Sequence, residues 1–186
     1  MKRILLMSHC LLNTASKVKS EERNLAHEYA LRSRLIEACM KEDINFIQLP
    51  CPELMLFGTK RWGHVKEQFE TPHYQRQARL MLEGIVDQLE LYNREPEFYE
   101  LLGVVAIEGS PSCGLHLTCR GNWMGEMPKR AEDYLAVKNT IYAAQEPGVF
   151  MALFAQMLQE RGLNLPFFSQ EEALALLQGM ESGRDR

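Results

Sequence analysis

Apolar and polar residues follow two different periods along the chain, and these periods predict alternating strands and helices. Short, continuously apolar runs predict buried strands at 3–8, 45–49, 101–107 and 165–168. Apolar residues at helical spacing predict helices at 20–41, 73–93, 131–145, 148–161 and from residue 171 onward. This alternation is typical of an α/β, Rossmann-like fold, in which helices cover both faces of a mostly parallel sheet.

The same pattern predicts a single folded unit. The chain has 186 residues and contains no internal repeat or low-complexity segment, so we predict one α/β domain over residues 1–181. The polar residues 182–186 predict a frayed tail, and the polar segment 115–128 predicts a loop. Ser169 followed by Glu172 predicts a capping box at the start of the last helix.

Charge and hydropathy exclude some classes of partner. The formal net charge of -4 gives no field that would attract nucleic acid, so a small-molecule ligand is expected. No apolar stretch reaches the eighteen or more residues of a membrane span, so no membrane partner is expected. The first apolar run is too short for a signal peptide, which predicts a cytoplasmic protein. The oligomeric state is left open.

Three cysteines follow the first three predicted strands. Cys10, Cys51 and Cys113 each come shortly after a strand. Because the carboxyl ends of parallel strands meet at one sheet edge, where open α/β sheets bind ligands, we expect these thiols to converge. Cys39 falls inside the first predicted helix and Cys119 in the predicted loop 115–128, so we expect both to lie outside this site.

The residue types at this edge suit a metal centre. In the cytoplasm cysteines are more often thiols or metal ligands than disulfides, and thiolates select zinc, copper(I) or iron–sulfur clusters. The run GSPSCG at 109–114 has more chain-breaking residues than a plain turn needs, which indicates a backbone brought close to another group. A second interpretation stays open on spacing alone: the three cysteines could be small buried apolar residues.

Three motifs together resemble a known family. SHCLLN at 8–13, PCPE at 50–53 and GSPSCG at 109–114 are similar to the motifs of the 2-thiouracil desulfidases and their relatives. The resemblance implies a Rossmann-like domain that holds a four-iron, four-sulfur (4Fe-4S) cluster. It implies Cys10, Cys51 and Cys113 as the three ligands, with the remaining iron open to the sulfur of a thiolated pyrimidine.

The resemblance also implies two catalytic groups. Ser110, the first serine of GSPSCG, matches a serine of the family's active site, where its hydroxyl would orient water or substrate. The family uses an active-site carboxylate as well. Glu53, which lies beside Cys51 in PCPE, is the first candidate for it, and Glu108 is the second.

Departures from the family pattern affect the expected substrate. Asn13 stands where members commonly have glycine, and residues 54–63 replace a glycine-rich run. Arg61 and Trp62 in that segment could clamp and stack a flat heterocycle. With Asn13 they are the candidate substrate-binding residues, and the expected substrate is a small thiolated heterocycle, of which thiouracil is one candidate.

Two classes of function follow. The first is a desulfidase, in which a carboxylate activates water and oxygen replaces sulfur without net redox change. The second is a non-catalytic iron–sulfur or zinc protein that senses redox state or carries sulfur, and a ligand set completed by His9 would favour it. A dinucleotide-binding domain is disfavoured, because no GxGxxG follows the first strand.

Overall fold

The computed structural model describes residues 1–19 and 25–184, with side chains described up to residue 180. Within this range the strands are Lys2–Met7 (β1), Ile44–Gln48 (β2), Tyr99–Val105 (β3), Thr118–Arg120 (β4), Tyr142–Ala144 (β5) and Phe167–Phe168 (β6). The α-helices are His9–Leu12 (α1), Ala26–Lys41 (α2), Pro52–Phe57 (α3), Pro72–Asn93 (α4), Ala131–Lys138 (α5), Val149–Glu160 (α6) and Gln170–Arg184 (α7). Short 3₁₀ turns occupy Thr14–Ser16 and Lys66–Gln68.

The main sheet is parallel and is covered on both faces. Its strand order is β2-β1-β3-β6, and all three neighbouring pairs are parallel. Successive side chains of a strand point to opposite faces, so Ile4 packs with Leu82 of α4 and Phe154 of α6, while Leu5 packs with Leu35 of α2 and Leu177 of α7. The predicted α/β, Rossmann-like fold is confirmed.

The predicted elements of the sheet match the structure closely. Each of its four strands lies within two residues of its predicted bounds, as does α4. Residues 20–24, the predicted start of the first long helix, lie outside the described residues, and α2 ends at Lys41 as expected. The predicted capping box of α7 is confirmed, because the Ser169 N–H donates to Glu172 Oε2 over 2.7 Å and the Glu172 N–H donates to Ser169 Oγ over 3.2 Å.

A small antiparallel unit contradicts two predictions. The expected loop 115–128 contains β4, and the expected helix 131–145 ends at Lys138 and is followed by β5. β4 and β5 pair with Cys119 opposite Ala143. Strands of three residues are too short to show a period of two, and their hydrogen bonds come from a partner more than twenty residues away in the chain, so the local pattern could not reveal them.

An ion-pair network holds this unit against the rest of the domain. Arg120 of β4 contacts Glu67, Glu70 and Glu146, and Lys66 lies 2.8 Å from Glu146. These pairs join β4 to the turn before α4 and to the segment before α6. The β4–β5 unit is thereby fixed beside the carboxyl edge of the main sheet.

At the other end of the chain, α7 extends to Arg184, so the helix continues into the segment predicted to fray. Asp185 and Arg186 lie outside the described residues. Among the helices of the described part of the chain, none is long and apolar enough to cross a membrane.

Candidate functional site

The three strand-end cysteines line one cavity at the carboxyl edge of the sheet. Cys10 lies in α1, which begins two residues after β1 ends. Cys51 is the N-cap of α3, and its Sγ accepts a hydrogen bond from the Leu54 N–H over 3.4 Å. Cys113 lies in the loop after β3 and is buried. Together they line a cavity of about 450 Å³, as expected for residues that follow the carboxyl ends of parallel strands.

The thiols influence one another electrostatically. Burial raises the pKa of the Cys10 thiol to about 11, and it also raises the pKa of the Cys51 and Cys113 thiols. Charge on Cys51 raises the pKa of Cys10 further, and charge on Cys10 does the same for Cys113. The three sulfur atoms therefore face a common space and carry protons at neutral pH, which a bound metal would displace.

The three strand-end cysteines give this cavity the donor chemistry of thiols. Among the described residues, no three His, Cys, Asp or Glu side chains lie close enough together to hold one metal ion. Three thiolates can hold a 4Fe-4S cluster with one cysteine on each of three irons, so the donor chemistry fits the group that the family resemblance implies. His9 Nδ1 lies 3.3 Å from the Leu49 carbonyl oxygen, and His9 does not line the cavity.

The GSPSCG loop at 109–114 is shaped by its own side chains and by a close helix. The Ser110 hydroxyl accepts hydrogen bonds from the N–H groups of Cys113 over 3.0 Å and of Ser112 over 3.3 Å. The N-terminus of α6 donates to carbonyl groups of the same loop. A Cβ on Gly148 would lie 2.4 Å from the Ser112 carbonyl oxygen, so only glycine allows the start of α6 to lie this close to the loop. The loop therefore presents Cys113 in a fixed orientation.

Glu53 is the carboxylate that the structure places beside the cysteines. It lies in the first turn of α3, lines the cavity and is largely buried. Its Oε1 accepts a hydrogen bond from the Ser112 hydroxyl over 2.6 Å. Its Oε2 lies 3.5 Å from Arg61 Nε and 3.9 Å from His64 Nδ1. The negative charge therefore has a donor on one oxygen and a cation on the other.

Glu108, the second candidate for the active-site carboxylate, holds backbone groups of the loop after β3. It lines the same cavity, but its Oε2 accepts hydrogen bonds from the backbone N–H groups of His116 over 3.1 Å and Leu117 over 2.8 Å. These bonds close the loop that follows β3. Glu108 therefore shapes the wall of the cavity.

The three candidate substrate-binding residues differ in where the structure places them relative to the cavity. Trp62 lines the cavity and is exposed at its mouth. The buried Arg61 guanidinium donates to the Ser16 carbonyl over 2.6 Å and the Gly58 carbonyl over 3.0 Å, so it braces the cavity wall beside Glu53. Asn13 corrects the prediction: it does not line the cavity, and its Oδ1 accepts from the Ala15 N–H over 3.1 Å to cap the first 3₁₀ turn.

The two remaining cysteines lie in different parts of the structure. Cys39 is fully buried in the core between the sheet, α2 and α7, as expected. Cys119 lies on β4 and lines the same cavity, and its expected absence from the metal site stays a prediction. Its Sγ donates to the His64 carbonyl oxygen over 3.2 Å. The β4–β5 pairing, which was not predicted, brings Cys119 to the cavity.

Sequence reasoning missed Ser112 and His64. Ser112 lies in the same motif as Ser110, so the motif itself was a signal for it. His64 had no such signal: its ring lies between Phe57 and Phe69, with ring centroids 4.6 Å and 5.0 Å away. Burial lowers the pKa of His64, so the ring is neutral at pH 7. Within the described side chains its buried Nδ1 has no hydrogen-bond partner, a feature that concentrates at functional sites.

A comparison with known proteins identifies the family. The sequence model of the family described as "Putative 2-thiouracil desulfurase" matches residues 1–153, a range that includes the three cysteines and Glu53. The chain belongs to this family. The resemblance to 2-thiouracil desulfidases is thereby confirmed, and the desulfurase family supports a sulfur-removing role that acts on a small molecule.

One curated relative extends the comparison. An uncharacterized protein of Methanocaldococcus jannaschii is 36% identical over 131 residues, which cover 70% of this chain and 79% of the relative. No solved structure matches the chain. The assignment to the desulfurase family therefore rests on the sequence model.

Proposed function

We propose that the protein is an iron–sulfur-dependent desulfidase that removes sulfur from a small thiolated heterocycle such as a thiolated pyrimidine. One observation carries the proposal: Cys10, Cys51, Cys113 and Glu53 line a single cavity in a chain of the desulfurase family. The three thiols would hold a 4Fe-4S cluster. When bound, a cluster with three cysteine ligands supplies one iron without a protein ligand, a Lewis acid for the substrate's sulfur.

The reaction defines what the protein must supply. Water provides the oxygen that replaces sulfur at the carbon, and its two hydrogens leave with the sulfur as hydrogen sulfide. No oxidant or reductant is consumed. The protein must therefore hold the heterocycle, accept a proton from water at one atom and return it to the departing sulfur.

Glu53 is suited to the proton transfer. Its Oε1 is held by Ser112, which leaves Oε2 directed at the cavity wall that carries Arg61 and His64. Arg61 Nε lies 3.5 Å from Oε2 and helps to orient this oxygen. We therefore assign the role of general base to Glu53 Oε2, with Arg61 and His64 as positioning residues.

The two serines orient the reacting groups. Ser112 fixes Glu53, and Ser110 Oγ lies 3.2 Å from Ser112 Oγ while it holds the backbone of the Cys113 loop. We assign to this pair of hydroxyls the orientation of the carboxylate and of the water that it activates.

The test combines metal analysis with turnover. After anaerobic purification we expect about four iron and four sulfide per chain, and conversion of 2-thiouracil to uracil with one hydrogen sulfide released per turnover. Zinc without iron, or a full cluster with no turnover of any thiolated heterocycle, would overturn the desulfidase and favour the non-catalytic alternative. The Cys39→Ala protein is the matched control, since Cys39 lies in the core away from the cavity.

A further inference from the structure

A second cavity adjoins the one lined by the cysteines. We call the cavity of about 450 Å³ the cysteine chamber. The distal chamber is a cavity of about 350 Å³, and its lining includes Phe57, Trp62, Trp123, Met127, Tyr134 and Val137. Trp62, Trp123 and Tyr134 line both chambers. The two chambers are therefore adjacent and share a wall.

The lining of the distal chamber is aromatic and apolar. Trp123 and Tyr134 meet edge to face, with ring centroids 5.7 Å apart and planes at 77°. Such edges and faces are suited to contacts with a further flat ring. The chamber is formed where the segment after α3 meets the β4–α5 segment, both of which flank the carboxyl edge of the sheet.

The charges of this lining do not favour an anion. The charged side chains along it are Arg61 and Glu126, which have opposite signs. Arg61 is already engaged by Glu53 and by two backbone carbonyl groups. A phosphate in the distal chamber would therefore face a carboxylate and no uncommitted guanidinium, which disfavours a phosphate at this position.

The two volumes indicate a substrate larger than one ring. Cavities of about 300–1,000 Å³ accommodate drug-sized ligands, and each chamber lies within that range. The cluster held by the three cysteines and a single thiolated ring beside Glu53 would share the cysteine chamber and leave the distal chamber filled only with water. Apolar surface that stays wet contributes nothing to binding, whereas an apolar group that displaces this water contributes in proportion to the area it buries.

We propose that the distal chamber binds a neutral, flat, apolar substituent carried by the thiolated heterocycle. The preferred substrates are then aryl- or arylmethyl-substituted thioheterocycles, in preference to the free base or its nucleotide. This inference rests on the proposed function for the position of the thiolated ring in the cysteine chamber. The distal chamber then determines which of the thiolated heterocycles binds most tightly.

Binding of oxygen analogues tests the chamber without any turnover. The anaerobically purified full-length protein is titrated with uracil, 5-benzyluracil and uridine 5′-monophosphate by calorimetry and by tryptophan fluorescence. We expect 5-benzyluracil to bind at least about tenfold more tightly than uracil, the size of effect that a buried apolar group gives in a shaped pocket. Uridine 5′-monophosphate should gain nothing over uracil.

Variants localise the effect. Met127 lines the distal chamber but not the cysteine chamber and is 60% exposed, so Met127→Ala should fold normally and reduce the advantage of 5-benzyluracil while uracil binding changes little. Met127→Asp should do the same by placing a charge in the chamber. Phe98→Ala truncates an exposed aromatic residue that lines neither chamber and is the matched control.

The outcomes separate the chamber from the reaction. Three results would refute the proposed role of the distal chamber, whether or not 2-thiouracil is turned over. These are equal affinity for uracil and 5-benzyluracil, tightest binding of uridine 5′-monophosphate, and binding of 5-benzyluracil in both variants that is tighter than that of uracil by as much as in the parent. Selective binding of 5-benzyluracil by a cluster-loaded protein that leaves both 2-thiouracil and 5-benzyl-2-thiouracil intact would support the chamber and refute the desulfidase.

Discussion

The Ser112 hydroxyl donates a hydrogen bond to Glu53 Oε1 over 2.6 Å and joins two motifs that lie 59 residues apart in sequence. Ser112 Oγ also lies 3.5 Å from Cys113 Sγ. One hydroxyl therefore connects the candidate base on α3 to the loop that carries a candidate cluster ligand. A hydrogen bond to a charged group is worth about 1.5–3 kcal/mol, so this contact is strong enough to fix the carboxylate.

Ser112→Ala should therefore lower turnover by roughly tenfold, because a contact of this strength no longer orients Glu53. Iron content and the absorption spectrum should stay at the parent level. Ser110→Ala is the comparison: it removes the acceptor of the Cys113 N–H and should cost about 1 kcal/mol of stability together with part of the iron. Steady-state kinetics, iron analysis and thermal unfolding separate the two, and a fully active Ser112→Ala protein would refute the role of this contact.

Glu53→Gln should retain the cluster spectrum and lose desulfidation by roughly a hundredfold or more, because the amide keeps the size of the side chain but not its basic oxygen. Glu108→Gln is the control. Its amide oxygen can still accept from the two backbone N–H groups that Glu108 holds, so activity should remain near the parent level. If Glu53→Gln were active and Glu108→Gln inactive, the general base would be Glu108 and not Glu53.

Replacement of Cys10, Cys51 or Cys113 by serine should abolish iron binding in each case, because each thiol supplies one of three ligands. Cys39→Ala and Cys119→Ser should keep the parent iron content, although Cys119 lines the same cavity. Iron and sulfide are measured after anaerobic purification. Loss of iron in Cys119→Ser that matches the loss in Cys51→Ser would make Cys119 a fourth ligand.

Gly148→Ala should disrupt the site from outside it. The added Cβ would lie 2.4 Å from the Ser112 carbonyl oxygen and 2.9 Å from the Ser110 carbonyl oxygen, so the GSPSCG loop or α6 must shift. We expect reduced iron loading and a fall in stability of about 1–3 kcal/mol. Gly84→Ala lies within α4, where nothing stands within 4 Å of the new Cβ, and should raise stability by up to about 1 kcal/mol. Equal behaviour of the two variants in chemical denaturation would contradict this account.

Glu146 should contribute to stability above about pH 4.5 and lose that contribution in acid. Its hydrogen bonds with Arg120 and then Lys66 lower the folded-state pKa to about 2 from an ordinary value of 4.5. Because the folded-state pKa is the lower one, the stabilisation is complete above pH 4.5 and disappears as the pH falls toward 2. For this partly exposed side chain we expect about 1 kcal/mol.

Glu146→Gln should accordingly be less stable than the parent at pH 6 and approach it at pH 2.5, as measured by urea unfolding. Glu97→Gln, which changes an exposed carboxylate outside the network, should leave the difference between the two pH values unchanged. A constant gap between parent and Glu146→Gln at both pH values would show that the carboxylate charge is not the source of the effect.

Much of the architecture was determined by the sequence alone. The strands and long helices of the main sheet were predictable because a period of two or of 3.6 is a property of neighbouring residues. The convergence of Cys10, Cys51 and Cys113 was predictable as well, because the carboxyl ends of adjacent parallel strands share an edge. The family followed from the same three motifs.

The tertiary structure decided how the site is assembled. The hydrogen bond between Ser112 and Glu53, the hydrogen bond from Arg61 to the Ser16 carbonyl and the ion pairs of Arg120 all join segments that are distant in sequence. The same is true of β4 and β5, whose three residues each carry no detectable period and which exist only through their mutual pairing. Local periodicity determines which elements form, whereas contacts between distant segments determine which side chains meet, because those contacts are made only when the elements pack.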